Sequence, residues 1–513
     1  PSLLLFPLGK MASASLLSLA LCSLLLLQAC SAQLETSQIW GSRARHSIRK
    51  SQQQNECQFR RINAQEPDRR ITSEAGTTEI WDENDDQFRC AGVAAIRHTI
   101  EQRGLLLPAY SNAPKLIYVD QGKPNFPLFL WRGYHSAAIP GCPETYQSEQ
   151  ESQSQDPRQG SRDQHQKIRK IRQGDIIAIP AGVADWFYND AQSPLVLVQI
   201  MDTSNFQNQL DQNFRKFFLA GNPQREIQGQ RGQPASHLYQ GSERRRGGGG
   251  SGSQEQRSGN IFQAFDEQFL AEAFNIDTDL ARRIKNENDN RGIIVRVEEQ
   301  LQFLSAEFSE EERESSSRGG RSGRWSANGI EETFCTARLK HNINDPSRAD
   351  IYNPRAGRLT TINSYNLPIL QHIQLSAQKG FLYRNAIMTP HWNMNAHSIN
   401  YITRGSGQIQ IVNENGESVF DGQVQEGQII TAPQNFAVIK RAGSDGLEWI
   451  SFKTNDKAKI NQIAGRASAI RAIPRDVIAN AFAISREEAQ RIKFNRQEIG
   501  IFSPGTRSRG RRD

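Results

Sequence analysis

The chain has 513 residues, enough for two to four domains of ordinary size, and 37% of them are hydrophobic with Gln, Asn and Arg frequent. Its net charge is +7, and no basic cluster interleaved with aromatics appears, which speaks against a nucleic-acid surface. After the N-terminal leader no stretch is long and apolar enough to span a bilayer, which speaks against an integral membrane protein.

Residues 1–10 precede the start Met11 and read as upstream sequence rather than protein. Met11 opens a secretory signal peptide over residues 11–32. Its apolar run is Leu16 to Leu27, and small residues at Cys30 and Ala32 suit cleavage after Ala32. Cys22 and Cys30 leave with it. Cys57, Cys90, Cys142 and Cys335 remain. An even number in an oxidising compartment suggests two disulfides, and sequence alone allows three pairings.

Residues 33–53 are polar and read as an arm. From Cys57 to Glu144 short apolar segments rich in β-branched and aromatic residues alternate with Gly, Pro and Asn, the pattern of a β-sandwich or barrel. The tract 147–166 is polar without apolar period and reads as disordered. Strands return at Lys167–Arg172, within Gly174–Pro180, which reads as a turn and then a buried strand, and at Pro194–Ile200. Leu210–Leu219 and Phe265–Ile284 have helical spacing. Residues 222–259 again read as disordered, and Arg244-Arg245-Arg246 is a loop run. One more strand falls at Ile293–Val297, before a polar linker, residues 305–328.

That linker ends at Asn328-Gly329, with Cys335 seven residues beyond Asn328. Asn-Gly is at minimum a turn dipeptide; in a flexible segment it is also open to cleavage. The seam divides the charge unevenly. Residues 329–513 hold 24 Lys and Arg against 16 Asp and Glu, whereas residues 11–328 hold 37 against 39.

The second half repeats the first. Phe269–Ile276 aligns with Val477–Ile484, Leu280–Ile284 with Glu488–Ile492, and Pro108–Gly122 with Pro390–Gly405. Gly174-x5-Pro180 recurs as Gly427-x5-Pro433. A repeat of this length predicts two copies of one unit, a barrel followed by a helical extension. Ser485 and Glu488 are spaced as a capping box.

The segment Gly174-x5-Pro180-x-Gly182-x2-Asp185-x3-Asn189 resembles the second motif of the cupin fold, with Asp185 where a metal-binding His normally stands; in the second copy Val438 stands there. The first cupin motif places His-x-His on one strand. Here the pair is Ala109/Ser111 or Tyr110/Asn112, depending on a one-residue shift, and in the second copy His391/Asn393. His391 and His397 share strand parity and could face one cavity. They are weak metal candidates, since a catalytic metal usually has three protein ligands, and the expectation is no metal and no cofactor.

Beyond the fold, Asn328–Cys335, Ser347-Arg348-Ala349-Asp350, Tyr352–Arg358, Asn366–Leu370, Trp392–Ser398 and Gln434–Val438 resemble the legumin-type (11S) seed storage globulins over nearly all of residues 33–505. The resemblance implies a mostly β chain of two tandem cupin (jelly-roll) barrels, 33–304 and 329–513, each with a small helical extension. It implies a nitrogen reserve rather than an enzyme, with cleavage after Asn328 by an asparaginyl endopeptidase. It also implies disulfides Cys57–Cys90 and Cys142–Cys335, the latter joining an acidic to a basic chain. The implied homo-oligomer is a trimer formed in the endoplasmic reticulum, then a hexamer in the seed's protein storage vacuole. Neither nucleic acid nor, once the signal is removed, a membrane is an expected partner. The alternative is a metal- or small-ligand-binding cupin. Residues 124–132 depart from the family pattern. They are either an apolar loop or a gene-model error, and the second reading is preferred because deleting them restores the expected run of strands.

Overall fold

The computed structural model describes residues 57–121, 133–139, 168–223, 259–286, 288–299, 301 and 337–504. The leader, the stretch 124–132, the tracts 147–166 and 305–328, most of 222–259, the Asn328-Gly329 bond, Cys142 and Cys335 lie outside them.

Two facing antiparallel sheets make the first barrel. One runs in the order β1 (Arg69–Ser73), β2 (Gly76–Ile80), β3 (Val93–Ile100), β10 (Leu195–Asp202), β5 (Lys115–Gln121), β8 (Asp175–Ile179), β13 (Lys340–Asn342). The other runs β11 (Lys216–Phe218), β4 (Gly104–Ser111), β9 (Ala184–Tyr188), β6 (Gly133–Ala138), β7 (Arg169–Ile171), with β12 (Ile294–Arg296) also on β4. The second barrel is a ten-stranded system. Its path is β14 (Ile351–Asn353), β15 (Gly357–Ile362), β16 (Ser376–Leu382), β21 (Ala437–Lys453), β17 (Ile387–Asn393), β22 (Ile460–Gln462). Off that path β18 (Ser398–Val412) pairs with β19 (Ser418–Gln425), β20 (Ile429–Ala432) and β21, and β23 (Ile501–Phe502) pairs with β17.

Period-two alternation sets the faces. In β3 the side chains of Ile96, His98 and Ile100 are buried while Arg97 and Thr99 between them are half-buried, as a strand with one core face requires. Removing this apolar surface from water is the main stabilising term, at about 25 cal/mol per Å². The buried cluster that fills the first barrel continues into Ile362, Leu370, Ile399, Ile450 and Phe452 of the second half.

Each half also lends a segment to the other. Lys340–Asn342 pairs with Asp175–Ile177. Ala178 N donates to Leu339 O at 2.8 Å, and Ile343 N to Gly174 O at 2.8 Å. In return Ile62 N donates to Val419 O at 2.7 Å, and Gln65 exchanges both backbone bonds with Ile429. Phe59 and Ile62 are buried in the second core. Cys57 and Cys90 form a disulfide, with an S–S distance of 2.11 Å, that ties the start of the segment 57–65 to α1 (Asp86–Ala91).

Among the described residues, a helical pair follows the first barrel and three helices follow the second. After the first come α2 (Glu267–Phe274) and α3 (Thr278–Ile284). A single turn, α4 (Leu370–Ile373), falls within the second barrel, and α5 (Ala469–Ala472), α6 (Arg475–Ala481) and α7 (Arg486–Phe494) follow it. The Asp266 side chain accepts from Gln268 N and Phe269 N at the start of α2. Ser485 and Glu488 make both bonds of a capping box on α7, which satisfies donors that no helical carbonyl can reach.

The helical spacing of Leu210–Leu219 does not become a helix. Asn208 Oδ1 accepts from Leu210 N at 3.0 Å and Asp211 Oδ1 from Asn213 N at 3.1 Å. These side chains capture the amides that a helix would use, and Lys216–Phe218 then joins Ala109–Ser111 as a strand.

Candidate functional site

The barrel interiors are where a cupin would hold its ligands. In the first barrel Gly174 and Gly182 both take left-handed backbone, at φ +85° and +76°, and so fold the chain tightly around the buried strand β8. Gly182 N donates to Ser111 O at 2.9 Å. Asp185 then lies opposite Ala109 on one side and Ala137 on the other. This register resolves the one-residue ambiguity. Ala109 and Ser111 are buried, while Tyr110 and Asn112 are half-buried, so Ala109/Ser111 is the inward pair. Neither can bind a metal strongly.

Asp185 is engaged elsewhere. Lys115 Nζ forms a buried ion pair with its Oδ1. The lysine ammonium supplies the positive charge that a metal would bring. Lys216, also buried, is pushed down to about 7 by burial and by Lys115, against the opposing pull of Asp185. His98 and His135 are buried and held well below the ordinary imidazole range, first by burial and then by nearby cations. His98 Nδ1 lies 2.9 Å from Thr78 Oγ1, and the His135 ring lies 4.5 Å from that of Phe187.

The second barrel repeats the scaffold with different side chains. Gly427 (φ +88°) matches Gly174, and Asn435 (φ +66°) takes the left-handed position of Gly182, which asparagine tolerates. His391 pairs with Val438 as Ala109 pairs with Asp185, so Val438 occupies the ligand position. The His391 ring is buried, and its Nδ1 donates to Thr389 O at 2.8 Å. Burial, then Lys440 and Lys453, outweigh that bond and hold the imidazole at about 3, so it is neutral. Lys453 Nζ donates to Asn393 Oδ1 at 2.7 Å and Ser398 Oγ at 2.9 Å. Lys440 Nζ donates to Asn400 Oδ1 at 2.7 Å and sits 4.3 Å from the Trp449 ring centroid. Trp449 Nε1 donates to Ser451 Oγ at 3.1 Å, which donates to Asn400 Oδ1 at 2.7 Å.

The structure gives His391 and His397 different neighbours, His391 being buried beside Lys440 and Lys453. His397 lies beyond the end of β17, where Thr454 Oγ1 accepts from its backbone N–H at 2.9 Å. Its Nδ1 accepts from Gln434 N at 3.3 Å and lies 3.9 Å from Cys90 Sγ. Among the described residues, the one group of three or more His, Cys, Asp or Glu compact enough for a metal is Cys57, Cys90 and His397. Its two sulfurs are joined to each other, and thiolates, not disulfide sulfurs, are the ligands that hold zinc. Neither barrel's donor set fits a metal ion: Asp185 already accepts from an ammonium, and His391 stands beside two lysines.

The interior lysines Lys115, Lys216, Lys440 and Lys453 are the residues that sequence reading missed. Only around Lys440 does burial alternate along the strand; Lys115 opens a strand buried at every position through Asp120, and Lys216 opens one of three residues, so their sequences carry no such signal.

Two jelly-roll barrels in one chain, both retaining the Gly-x5-Pro turn, define a two-barrel cupin. The cupin family model matches residues 62–225 and 341–490. The chain is 49% identical to 11S globulin seed storage protein 1 of Carya illinoinensis over 97% of its own length and 98% of the relative's. It is 50% identical to 11S globulin seed storage protein Ana o 2.0101 of Anacardium occidentale over 94% and 98%. The crystal structure of pumpkin seed globulin superposes with a TM-score of 0.72 at 45% identity, covering 88% of this chain and all of that one. The chain belongs to the legumin-type (11S) seed storage globulins of the cupin superfamily.

Proposed function

We propose that this chain is a seed nitrogen reserve, made as a secreted precursor and cut after Asn328 into an acidic chain of residues 33–328 and a basic chain of residues 329–513. The observation that carries the reading is similarity to 11S seed storage globulins along almost the whole chain. A Cys142–Cys335 disulfide joins the cut chains, and the uneven charge on the two sides of Asn328 agrees with their naming. The route is the endoplasmic reticulum, then the protein storage vacuole.

Gel electrophoresis tests the processing. Protein from seed is expected to run as one band near full mass without reductant and as two bands with it, the smaller beginning at Gly329 by N-terminal sequencing. A single band under both conditions, or a different new N-terminus, would overturn the reading. Asn328→Gln is expected to leave the chain uncut by an asparaginyl endopeptidase.

Assembly into trimers and then hexamers is part of the proposal. Its support is a pair of equivalent apolar faces. Phe269 (72% exposed) and Phe274 (52%) project from α2, and Val477 (53%) and Phe482 (56%) mark the matching positions at α6. Bare apolar patches of this kind mark association surfaces. One copy's first helical pair meeting the next copy's second is a heterologous contact that can close as a ring. Phe269→Asp is expected to convert trimers to monomers in analytical ultracentrifugation with unchanged circular dichroism. Trimers that survive both Phe269→Asp and Val477→Asp would count against this surface.

A further inference from the structure

We propose that the interior of the first barrel is a binding site for a small monatomic anion, a halide. Five inward side chains with polar nitrogens lie there: His98 on β3, Gln199 on β10, Lys115 on β5, His135 on β6 and Lys216 on β11. All are at least nine-tenths buried. Leu197 stands opposite His98 and Gln199 opposite Ile96, so the first two come from adjoining strands of one sheet. Lys115 reaches Asp185, which lies opposite Ala109 and Ala137. Lys216 lies opposite Ser111, two residues from Ala109 on the same strand, and His135 is two residues from Ala137 on β6, so period-two alternation turns them to one interior.

The donors exceed the acceptors. His98 Nε2, His135 Nε2 and Gln199 Nε2 have no partner among the described residues. Thr78 Oγ1 lies 2.9 Å from His98 Nδ1; in the tautomer in which that hydroxyl donates, the ring proton sits on Nε2 and makes it a donor like the Gln199 amide. Against two lysines stands one carboxylate, Asp185, which Lys115 engages. Buried polar atoms are nearly always paired, and an uncompensated buried charge is strongly unfavourable. A halide supplies both the missing negative charge and an acceptor for several N–H groups. It needs no shaped pocket, as an organic acid would, and the two lysines repel a metal cation. Burial and Lys115 hold Lys216 down to about 7, and a bound anion would keep it charged. The second barrel makes no such demand, because Asn393 and Asn400 provide oxygens for its lysines.

The test is anomalous diffraction at the bromine edge from crystals of the whole protein grown in sodium bromide. A bromide peak is expected inside the first barrel beside Lys216, and it is expected to vanish in Lys216→Met. Should that variant not fold, Gln199→Leu is measured instead, with loss of at least half of the peak height expected. Three outcomes overturn the proposal: density inside the barrel without anomalous signal, meaning water; peaks confined to surface lysines, meaning an adventitious ion only; or an internal peak unchanged in the folded variant.

Discussion

Replacing Asp185 by alanine is expected to destabilise the protein by about 3–5 kcal/mol, because it leaves the Lys115 ammonium buried without its carboxylate. Both side chains are at most 3% exposed, so water cannot take over the lost partner. The loss should appear as a lower urea midpoint with little change in slope. The double replacement Lys115→Met with Asp185→Leu removes both charges and fills the space with apolar atoms. It is expected to recover most or all of the stability, since exchanging a buried pair for well-packed hydrophobic residues is often neutral or stabilising. An Asp185→Ala protein as stable as the parent would show that the pair is not sealed from solvent. A double variant as weak as the single one would show that the pair's geometry, rather than its charge balance, holds this end of the barrel.

The second large effect concerns pH. Burial holds the Lys453 ammonium at about 7, against an ordinary 10.5. Below pH 7 the folded and unfolded chains both carry the proton, and the cost of burying an ammonium is present in full. Between about 7 and 10.5 the unfolded chain binds a proton that the folded one has shed, so stability rises with pH. One such group contributes at most about 1.4 kcal/mol per pH unit. Lys440, which burial and then Lys453 hold well below its ordinary range, acts in the same sense, as does Lys216 when no anion is bound beside it. Lys453→Met should therefore flatten the alkaline rise measured from urea midpoints between pH 7 and 10, by up to that amount per unit. Parallel pH profiles for parent and variant would contradict a buried ammonium at this position.

These effects arise from residues whose importance lay partly outside the reach of sequence. The repeat was legible because each copy must satisfy the same local geometry. Gly174 and Gly427 both occupy left-handed backbone, and Gly-x5-Pro punctuates both copies. Capping was legible too, since the Ser485 and Glu488 bonds span only three residues. The Leu210–Leu219 spacing misled, because apolar period does not register Asn208 and Asp211 capturing backbone amides.

The sequence by itself determined the barrel class, the duplicated plan, the family and the mismatch of both second-motif positions to metal binding. All of these are written in local order: spacing, alternation and turn chemistry. Only the tertiary structure decided what stands in the metal's place. Lys115 and Asp185 are 70 residues apart, and Lys453 and Asn393 are 60 apart. Whether such partners meet depends on strand register across the barrel, where a shift of one residue turns every side chain to the other face. The exchange of Leu339–Ile343 into the first barrel and of Phe59–Gln65 onto the second was decided at that level as well. A strand pairs with whichever open edge the fold presents, and no periodicity in its own residues says whose edge that is.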